Sequence, residues 1–310
     1  MILPAGIRQK AKSVTTWKRD EMIRSNREEG MDAEARPLRV GLIGCGSIGG
    51  AICSSLLRNE APAELGVIVE TELTPCIRDL QSRSCGPPIL ESSVQSLVDM
   101  PLDVIVEAAH PDVVEAFALP LLESGKDLIL MSVGGLVKPG LIERLRSAAM
   151  KSRRMVFLPA GAISGISTLR AASLAGELED VTVRTTKAPA SLTGAPFIRQ
   201  QHLDIASMAD KTCLFTGTVL EAIVGFPKNV NVAAAVALAG LGPTQTKVEI
   251  YLDPHAERTI HSLFARGTFG SIEMTVANVP DIDNPRTSRL AVLGALSALK
   301  QRLEHVIMGI

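Results

Sequence analysis

Aromatic residues are scarce in this chain, at 3% of its 310 residues, with one tryptophan and one tyrosine. Surfaces that bind single-stranded nucleic acid stack bases on aromatic side chains, so this composition argues against such a surface. The formal net charge is only −1. Because the chain has no excess of positive charge, electrostatics do not favour a nucleic acid or an anionic membrane as a partner. We predict that neither is one.

Long apolar runs are also lacking. The longest, around Val232–Leu241, is too short to span a bilayer and predicts a buried core helix. Residues 1–37 are rich in Lys, Arg and Glu and contain no apolar segment typical of a secretory signal. We expect a disordered extension there, with Met31 as an alternative start of the natural protein.

The chain has five cysteines, an odd number, and no pair with the spacing Cys-x-x-Cys. This pattern predicts a reduced, cytoplasmic protein without a cysteine-based zinc site. His255 and His261 with nearby acids are alternative metal ligands, but no motif with established metal-ligand spacing is present. We predict no bound metal. The cysteines are Cys45, Cys53, Cys76, Cys85 and Cys213.

The most informative segment is an apolar strand pattern, Leu38–Ile43, followed by glycines and then by a helical pattern. This order of strand, glycine turn and helix is typical of a dinucleotide-binding fold, whose helix N-terminus receives the pyrophosphate. The first glycine permits the tight turn, the second lets the backbone approach the phosphates, and the third lets helix and strand pack closely. The predicted cofactor-binding positions are Gly44, Gly46, Ser47, Ile48 and Gly49.

Short apolar strands alternate with helical patterns up to Pro159, which predicts an α/β fold with a doubly wound parallel (Rossmann) sheet. The predicted strands are Leu38–Ile43, Glu64–Glu70, Leu102–Ala108, Asp127–Val133 and Met155–Leu158. The predicted helices after the first are Ser92–Val98, Asp112–Ser124 and Pro139–Lys151.

Beyond Pro159 the strands alternate between apolar and polar residues, which predicts a second, α+β domain with an antiparallel or mixed sheet. A last helix, from near Asn284-Pro285 to about Leu303, is expected to return to the first domain with Leu290, Leu293, Leu296 and Leu299 on one stripe. We predict a dinucleotide-binding domain of residues 38–160 plus 284–310 and a substrate domain of residues 161–283. The predicted strands of the second domain are Val181–Thr185, Thr246–Leu252 and Ser271–Val276, and its helices are Ser167–Ala175 and Val232–Leu241.

Glu70 ends the second strand, about 20 residues beyond the glycines, where an acidic side chain can accept hydrogen bonds from the adenosine ribose. Its charge would repel a 2′-phosphate and favour NAD over NADP; Thr71 and Glu72 are alternatives at this position. After the next strand, Ala108 leaves room for the nicotinamide ribose, while His110 either caps a helix or takes part in chemistry.

The second domain contains candidates for proton transfer. Asn231 precedes an apolar helix, where it can cap the helix, contact a ligand, or do both. His255 and His261 follow a predicted strand, and a histidine in a cleft is a suitable proton carrier near neutral pH. Spacing alone does not choose between these two histidines.

From Leu38 to about Arg302 the chain resembles the L-aspartate dehydrogenase family. The resemblance depends on Leu158–Gly165, Leu214–Thr218, Phe226–Ala234, Asp253-Pro254, His261, Gly267–Gly270 and Asn284–Ser288. It implies that His261 is catalytic and that Asn231 and an alanine, Ala162 or else Ala160, contact the cofactor. The chain departs from the family at Thr259 and Ser262, where the family often has Asn and Glu, which bears on substrate preference.

The resemblance further implies NAD(P)-dependent oxidative deamination of L-aspartate, a homodimer, and a product, iminoaspartate, that feeds NAD biosynthesis in some members. His261 would be the general base, and Lys187 and Lys228 would be the cationic partners of the substrate carboxylates. NAD is the expected cofactor, with NADP as the other option. The alternatives are another two-domain oxidoreductase similar to homoserine dehydrogenase, and a non-catalytic NAD-binding regulator.

Overall fold

The first half of the chain forms a parallel sheet in the computed structural model, which describes residues 36–60, 63–72, 74, 77–78, 88–227, 230–281 and 287–302. The strand order is β3-β2-β1-β4-β5-β6, and all neighbouring strands pair in parallel. The central strands are buried on both faces, as expected for a sheet covered by helices on each side. Its strands are β1 (Leu38–Ile43), β2 (Ala63–Val69), β3 (Ile89–Glu91), β4 (Val104–Glu107), β5 (Asp127–Leu130) and β6 (Val156–Phe157).

Strand order reverses at β1, which lies between β2 and β4. In open α/β sheets, ligands bind beyond the carboxyl ends of the strands at this reversal. The predicted strand Asp127–Val133 is too long: β5 ends at Leu130, and a 3₁₀ helix occupies Val133–Val137. Helices in the described part of this half include α1 (Ser47–Leu57), α2 (Pro111–Glu123) and α3 (Leu141–Ser152). The predicted helix Ser92–Val98 is a 3₁₀ helix over Val94–Val98.

A second sheet with the strand order β11-β10-β7-β9-β8 follows. It is mixed, since β7 and β9 are parallel and the other neighbours are antiparallel. The sequence located three of these strands and missed β8 and β10. Its strands are β7 (Leu178–Lys187), β8 (Thr212–Thr218), β9 (Lys247–Leu252), β10 (Thr259–Gly267) and β11 (Gly270–Asn278). The helices between β6 and β9 are α4 (Ile166–Leu174), α5 (Pro189–Leu192), α6 (Pro196–Gln200), α7 (Val219–Gly225) and α8 (Asn231–Ala239).

His261 follows β9, as predicted, but it lies within a further strand, β10, that the sequence did not predict. The strand was missed since His261 and Ser262 interrupt its apolar pattern, although both are buried, at 4% and 8% exposed. The predicted core helix near Val232 is confirmed as α8, which packs against α4 and against the 3₁₀ helix Val133–Val137. One apolar core therefore includes residues of both sheets.

The last described helix, α9 (Arg289–Gln301), returns to the first sheet and packs against α1 and β5. It begins at Arg289, later than predicted; residues 282–286 and those after Arg302 lie outside the described residues. The predicted leucine stripe is partly wrong: Leu290 and Leu293 are 39% and 46% exposed. The buried positions are Val292, Ala295 and Leu299. The chain from Leu38 onward is one compact unit, and the predicted domain boundaries stay a prediction.

Candidate active site

The glycine segment has the backbone geometry that its predicted role requires. Gly44 has a φ of +85°, and a Cβ there would lie 2.8 Å from the carbonyl oxygen of Ala108. A Cβ on Gly49 would overlap the carbonyl oxygen of Gly44, so only glycine lets α1 pack this closely. A Cβ on Gly46 would meet nothing within 4 Å, and no side chain caps α1. The segment therefore leaves an open cradle at a helix N-terminus, which fits a pyrophosphate.

Glu70 directly follows β2 and reaches this cradle. Its Oε2 accepts a hydrogen bond of 2.7 Å from the backbone N–H of Cys45, and Oε1 accepts one of 2.9 Å from that of Thr71. Of the three alternatives at this position, Glu70 is the one whose carboxylate touches the glycine segment. A negative charge beside the segment repels further negative charge placed next to it.

A cavity of about 230 Å³ lies between the carboxyl edge of the first sheet and the second sheet. It brings together five of the predicted site residues: Ile48, Ala162, Lys187, Asn231 and His261. Ala160 lines it as well, so both of the alternative alanines lie at the cavity. The other lining residues are Met131, Val133, Pro159, Gly161, Ser191, Val232, Thr259, Asn278, Val279, Pro280, Thr287, Ser288 and Ala291.

His261 and Lys187 lie on neighbouring strands. His261 pairs in register with Thr185, and the Thr185 hydroxyl lies 2.9 Å from Nδ1 of His261. Since side chains alternate along a strand, Lys187 lies on the same face as Thr185. Sequence reasoning missed Thr185; its spacing of two residues from Lys187 was the available signal.

The electrostatics of this pair follow from burial. Burial lowers the pKa of His261 to about 3, and the positive charge of Lys187 contributes to the shift. Burial also lowers the pKa of Lys187 to about 8. At neutral pH the cavity therefore presents a neutral imidazole beside a cation. An anionic ligand beside them would raise the pKa of both groups, because it stabilises their charged forms.

Asn231 lines the cavity and connects two helices beside it. Its Oδ1 accepts a hydrogen bond of 3.0 Å from the backbone N–H of Gly134. The expectation that Asn231 caps α8 was wrong: the cap position is Val230, Asn231 is already helical, and no side chain caps this helix. Its side chain instead connects α8 to the 3₁₀ helix that follows β5.

The remaining histidine candidates lie elsewhere. His110 caps α2 by accepting a hydrogen bond of 3.3 Å at Nδ1 from the backbone N–H of Asp112, which confirms the capping alternative. His255 is exposed in the turn after β9 and does not line the cavity. Of the two histidines that spacing left open, only His261 does. Lys228 lies outside the described residues.

The two positions where the chain departs from its family pattern face opposite ways. Thr259 lies two residues before His261 on the same strand and lines the cavity. Ser262 lies on the other face, where its hydroxyl is 2.9 Å from that of Thr275. Of the two departures, Thr259 is the one that the cavity exposes to a ligand.

Sequence reasoning also missed Asn278. Its Nδ2 donates a hydrogen bond of 3.0 Å to the carbonyl oxygen of Ala162, and its Oδ1 accepts one of 2.6 Å from the hydroxyl of Ser288. Asn278 therefore fixes both segments that connect the two sheets, and it lines the cavity between them. Nothing in the local pattern of β11 marks this asparagine, because its two partners are distant in sequence.

A glycine cradle at the carboxyl edge of a doubly wound sheet, beside a cavity with a buried histidine and a half-buried lysine, defines an oxidoreductase that uses a pyridine dinucleotide. Residues 44–159 match the model of the homoserine dehydrogenase NAD-binding domain, and residues 168–302 match that of the aspartate dehydrogenase C-terminal domain. An L-aspartate dehydrogenase of Nitrosopumilus maritimus is 37% identical over 85% of this chain and 96% of its own length. The chain belongs to the L-aspartate dehydrogenase family.

Further relatives agree. An L-aspartate dehydrogenase of Methanosarcina acetivorans is 36% identical over 88% of this chain and 99% of its own. The solved structure of aspartate dehydrogenase from Thermotoga maritima superposes with a TM-score of 0.66 at 26% identity, covering 88% of this chain and 99% of that one. The structure of scyllo-inositol dehydrogenase from Lactobacillus casei has a TM-score of 0.50 at 12% identity and shows only a shared fold.

These findings confirm the predicted fold class, the family and the enzyme class of amino-acid dehydrogenase. They support a pyridine nucleotide as cofactor without separating NAD from NADP. Among the described residues, no helix has both the length and the apolar character needed to cross a membrane. The same residues contain no group of three or more His, Cys, Asp or Glu side chains arranged to hold a metal ion.

Proposed function

We propose that this protein catalyses the NAD-dependent oxidative deamination of L-aspartate. The reaction would give iminoaspartate, which water converts to oxaloacetate and ammonia. The observation that carries this proposal is the pairing of neutral His261 with cationic Lys187 in one cavity, next to the glycine cradle. The first group suits proton transfer and the second suits recognition of a carboxylate.

The bound dinucleotide would supply the hydride acceptor. The residues of this chain then have two tasks. The substrate amine must be neutral when hydride leaves Cα, and the water that attacks the imine must lose a proton. His261 can accept a proton in either step because it is held neutral, and Thr185 fixes its Nδ1 so that Nε2 is the nitrogen left for the substrate.

Lys187 is proposed to bind a carboxylate of the substrate. A charge-assisted hydrogen bond in a site shielded from water is stronger than one at the surface. Aspartate carries two carboxylates, so a second cation is needed, and Lys228 is the predicted candidate. Glu70, in contact with the glycine segment, supports NAD as the preferred cofactor. We further propose Gly44, Gly46, Ser47, Ile48, Gly49, Ala108, Ala162 and Asn231 as cofactor contacts.

The test is a substrate panel with purified protein. NADH or NADPH formation is followed with L-aspartate, L-glutamate, L-alanine and L-homoserine in turn. We expect turnover with L-aspartate and NAD, and much less with the other combinations. Turnover of homoserine with none of aspartate would favour the homoserine-dehydrogenase-like alternative and overturn the proposal.

A variant of His261 distinguishes an enzyme from a non-catalytic NAD-binding regulator. We expect His261→Asn to lower kcat with aspartate by about 10²- to 10⁴-fold while NADH still binds. A regulator would bind NADH and show no rate that depends on His261. The family resemblance also supports a cytoplasmic enzyme whose product feeds NAD biosynthesis. It further supports a homodimer, which light scattering of the purified protein tests.

A further inference from the structure

Glu107 is a carboxylate buried at the carboxyl end of β4, with 1% of its surface exposed. It lies in the middle of the first sheet, in register with Ile43 of β1 on one side and Leu130 of β5 on the other. This is the edge at which ligands bind in such sheets. A lone carboxylate in such a place is costly unless hydrogen bonds compensate for its lost hydration.

Several hydrogen bonds compensate for this burial, and the backbone of His110 contributes one of them. Oε1 accepts hydrogen bonds of 2.8 Å from the backbone N–H of Ala109 and of 2.8 Å from the hydroxyl of Ser132. Oε2 accepts one of 3.0 Å from the backbone N–H of Ser132. Burial raises the pKa of Glu107, whereas the hydrogen bonds from Ser132 and Ala109 oppose the shift. The two backbone N–H groups can only donate, and each is matched by an oxygen of the Glu107 carboxyl group.

The donors belong to two loops that border the proposed cofactor site. Ala109 follows Ala108, and both lie where a Cβ on Gly44 would collide. Ser132 stands between Met131 and Val133, which both line the cavity. The same second loop continues to Gly134, whose N–H binds Asn231. The Glu107 side chain thus connects the loop that packs on the glycine segment with the loop whose Gly134 binds Asn231.

We propose that Glu107 is a positioning residue for the dinucleotide: it holds the loops after β4 and β5 at the spacing that the bound cofactor needs. The inference rests on the proposed function only in that a dinucleotide occupies this edge. It does not depend on which amino acid is oxidised. Glu107 acts through Ala109 and Ser132.

The isosteric variant Glu107→Gln tests this role. A glutamine keeps one acceptor oxygen but places an NH₂ group against a backbone N–H donor, so at least one hydrogen bond to the loops is lost. We expect the Kd for NADH, measured by fluorescence titration, to rise about tenfold or more. The KM for NAD should rise with it, while kcat at saturating NAD changes less.

Asp127→Asn is the matched control. Asp127 is also buried, at 2% exposed, but it lies at the opposite, amino-terminal edge of the same sheet. It accepts hydrogen bonds from the N–H of Met155 at 2.9 Å and from Nε of Arg302 at 2.6 Å. Its variant should lower the melting temperature and leave the Kd for NADH within about twofold of the wild type.

The proposal is overturned if Glu107→Gln lowers the melting temperature as Asp127→Asn does but leaves the Kd for NADH unchanged. If Glu107→Gln does not fold, Ser132→Ala is the second test, because it removes only the hydroxyl donor. We expect its Kd for NADH to rise about threefold, and an unchanged Kd would overturn the proposal. The Kd for NADH is measured without aspartate. A failure of the proposed reaction would therefore appear in the substrate panel, and a failure of the positioning role would appear in the Kd.

Discussion

The hydroxyl of Thr185 lies 2.9 Å from Nδ1 of His261, and both side chains are buried on the same face of the second sheet. The two residues are direct partners across β7 and β10, so the sheet register itself fixes the imidazole. A fixed Nδ1 determines which nitrogen can meet the substrate. Thr259, two residues before His261 on β10, lines the same cavity.

We expect Thr185→Val to lower kcat about tenfold, because the ring loses its hydrogen bond while the volume of the side chain is kept. The affinity for NADH should not change. Thr182→Val is the control, since Thr182 lies on the same strand but on the opposite face. Steady-state rates with aspartate and NADH titrations measure both effects. Equal rates for the Thr185 and Thr182 variants would contradict a positioning role for Thr185.

Regular local patterns account for what the sequence predicts. The glycine segment and the apolar strands around it follow from turn geometry and burial, which leave direct traces in the residue order. His261 could be chosen over His255 only through the family resemblance, because both follow the predicted strand Thr246–Leu252 and no local motif separates them. Burial separates them, and burial depends on how β10 pairs with β7.

Interactions between distant segments account for what the sequence misses. Thr185, Glu107 and Asn278 gain their roles from partners that lie 76, 25 and 116 residues away. The same limit explains α9, whose four leucines suggested a stripe. Only contact with α1 shows that Val292 and Ala295 face the core.

Lys187 makes ligand binding depend on pH. Its pKa is lowered to about 8, so it is charged below that pH and loses its charge as the pH rises through it. Succinate, a four-carbon dicarboxylate without the amine, stays fully ionised over this range and reports on the lysine alone. We expect its inhibition constant against aspartate to be flat below pH 8 and to rise by up to about tenfold per pH unit above it.

Lys187→Met should raise the inhibition constant of succinate at pH 7 about tenfold or more, and it should abolish the pH dependence, because the charge is gone at every pH. His261→Asn is the control, since it alters the neighbouring ring but leaves the lysine in place. If the Lys187→Met enzyme binds succinate as tightly as the wild type does, Lys187 does not bind a carboxylate of the substrate.

Glu70 is expected to set the preference between the two dinucleotides. Glu70→Gln keeps an oxygen that can accept the hydrogen bond from Cys45 but removes the negative charge that opposes a 2′-phosphate. We expect the ratio of kcat/KM for NAD to that for NADP to fall about tenfold. Glu72→Gln removes an exposed charge two residues away and serves as the control. A similar fall in both variants would indicate a general field effect instead of a specific contact.

The packing of α9 against the first sheet can be tested through the free energy of unfolding. Leu299 and Leu293 share the predicted stripe, but the structure separates them, at 1% and 46% exposed. Leu299 packs in a cluster with Ile52 and Leu56 of α1. Leu299→Ala should therefore lower the free energy of unfolding by about 2–5 kcal/mol, through lost burial and the cavity left behind. Leu293→Ala should change it by no more than about 0.5 kcal/mol. Urea unfolding of both variants gives the comparison, and equal losses would mean that the helix buries the leucine stripe that the sequence suggested.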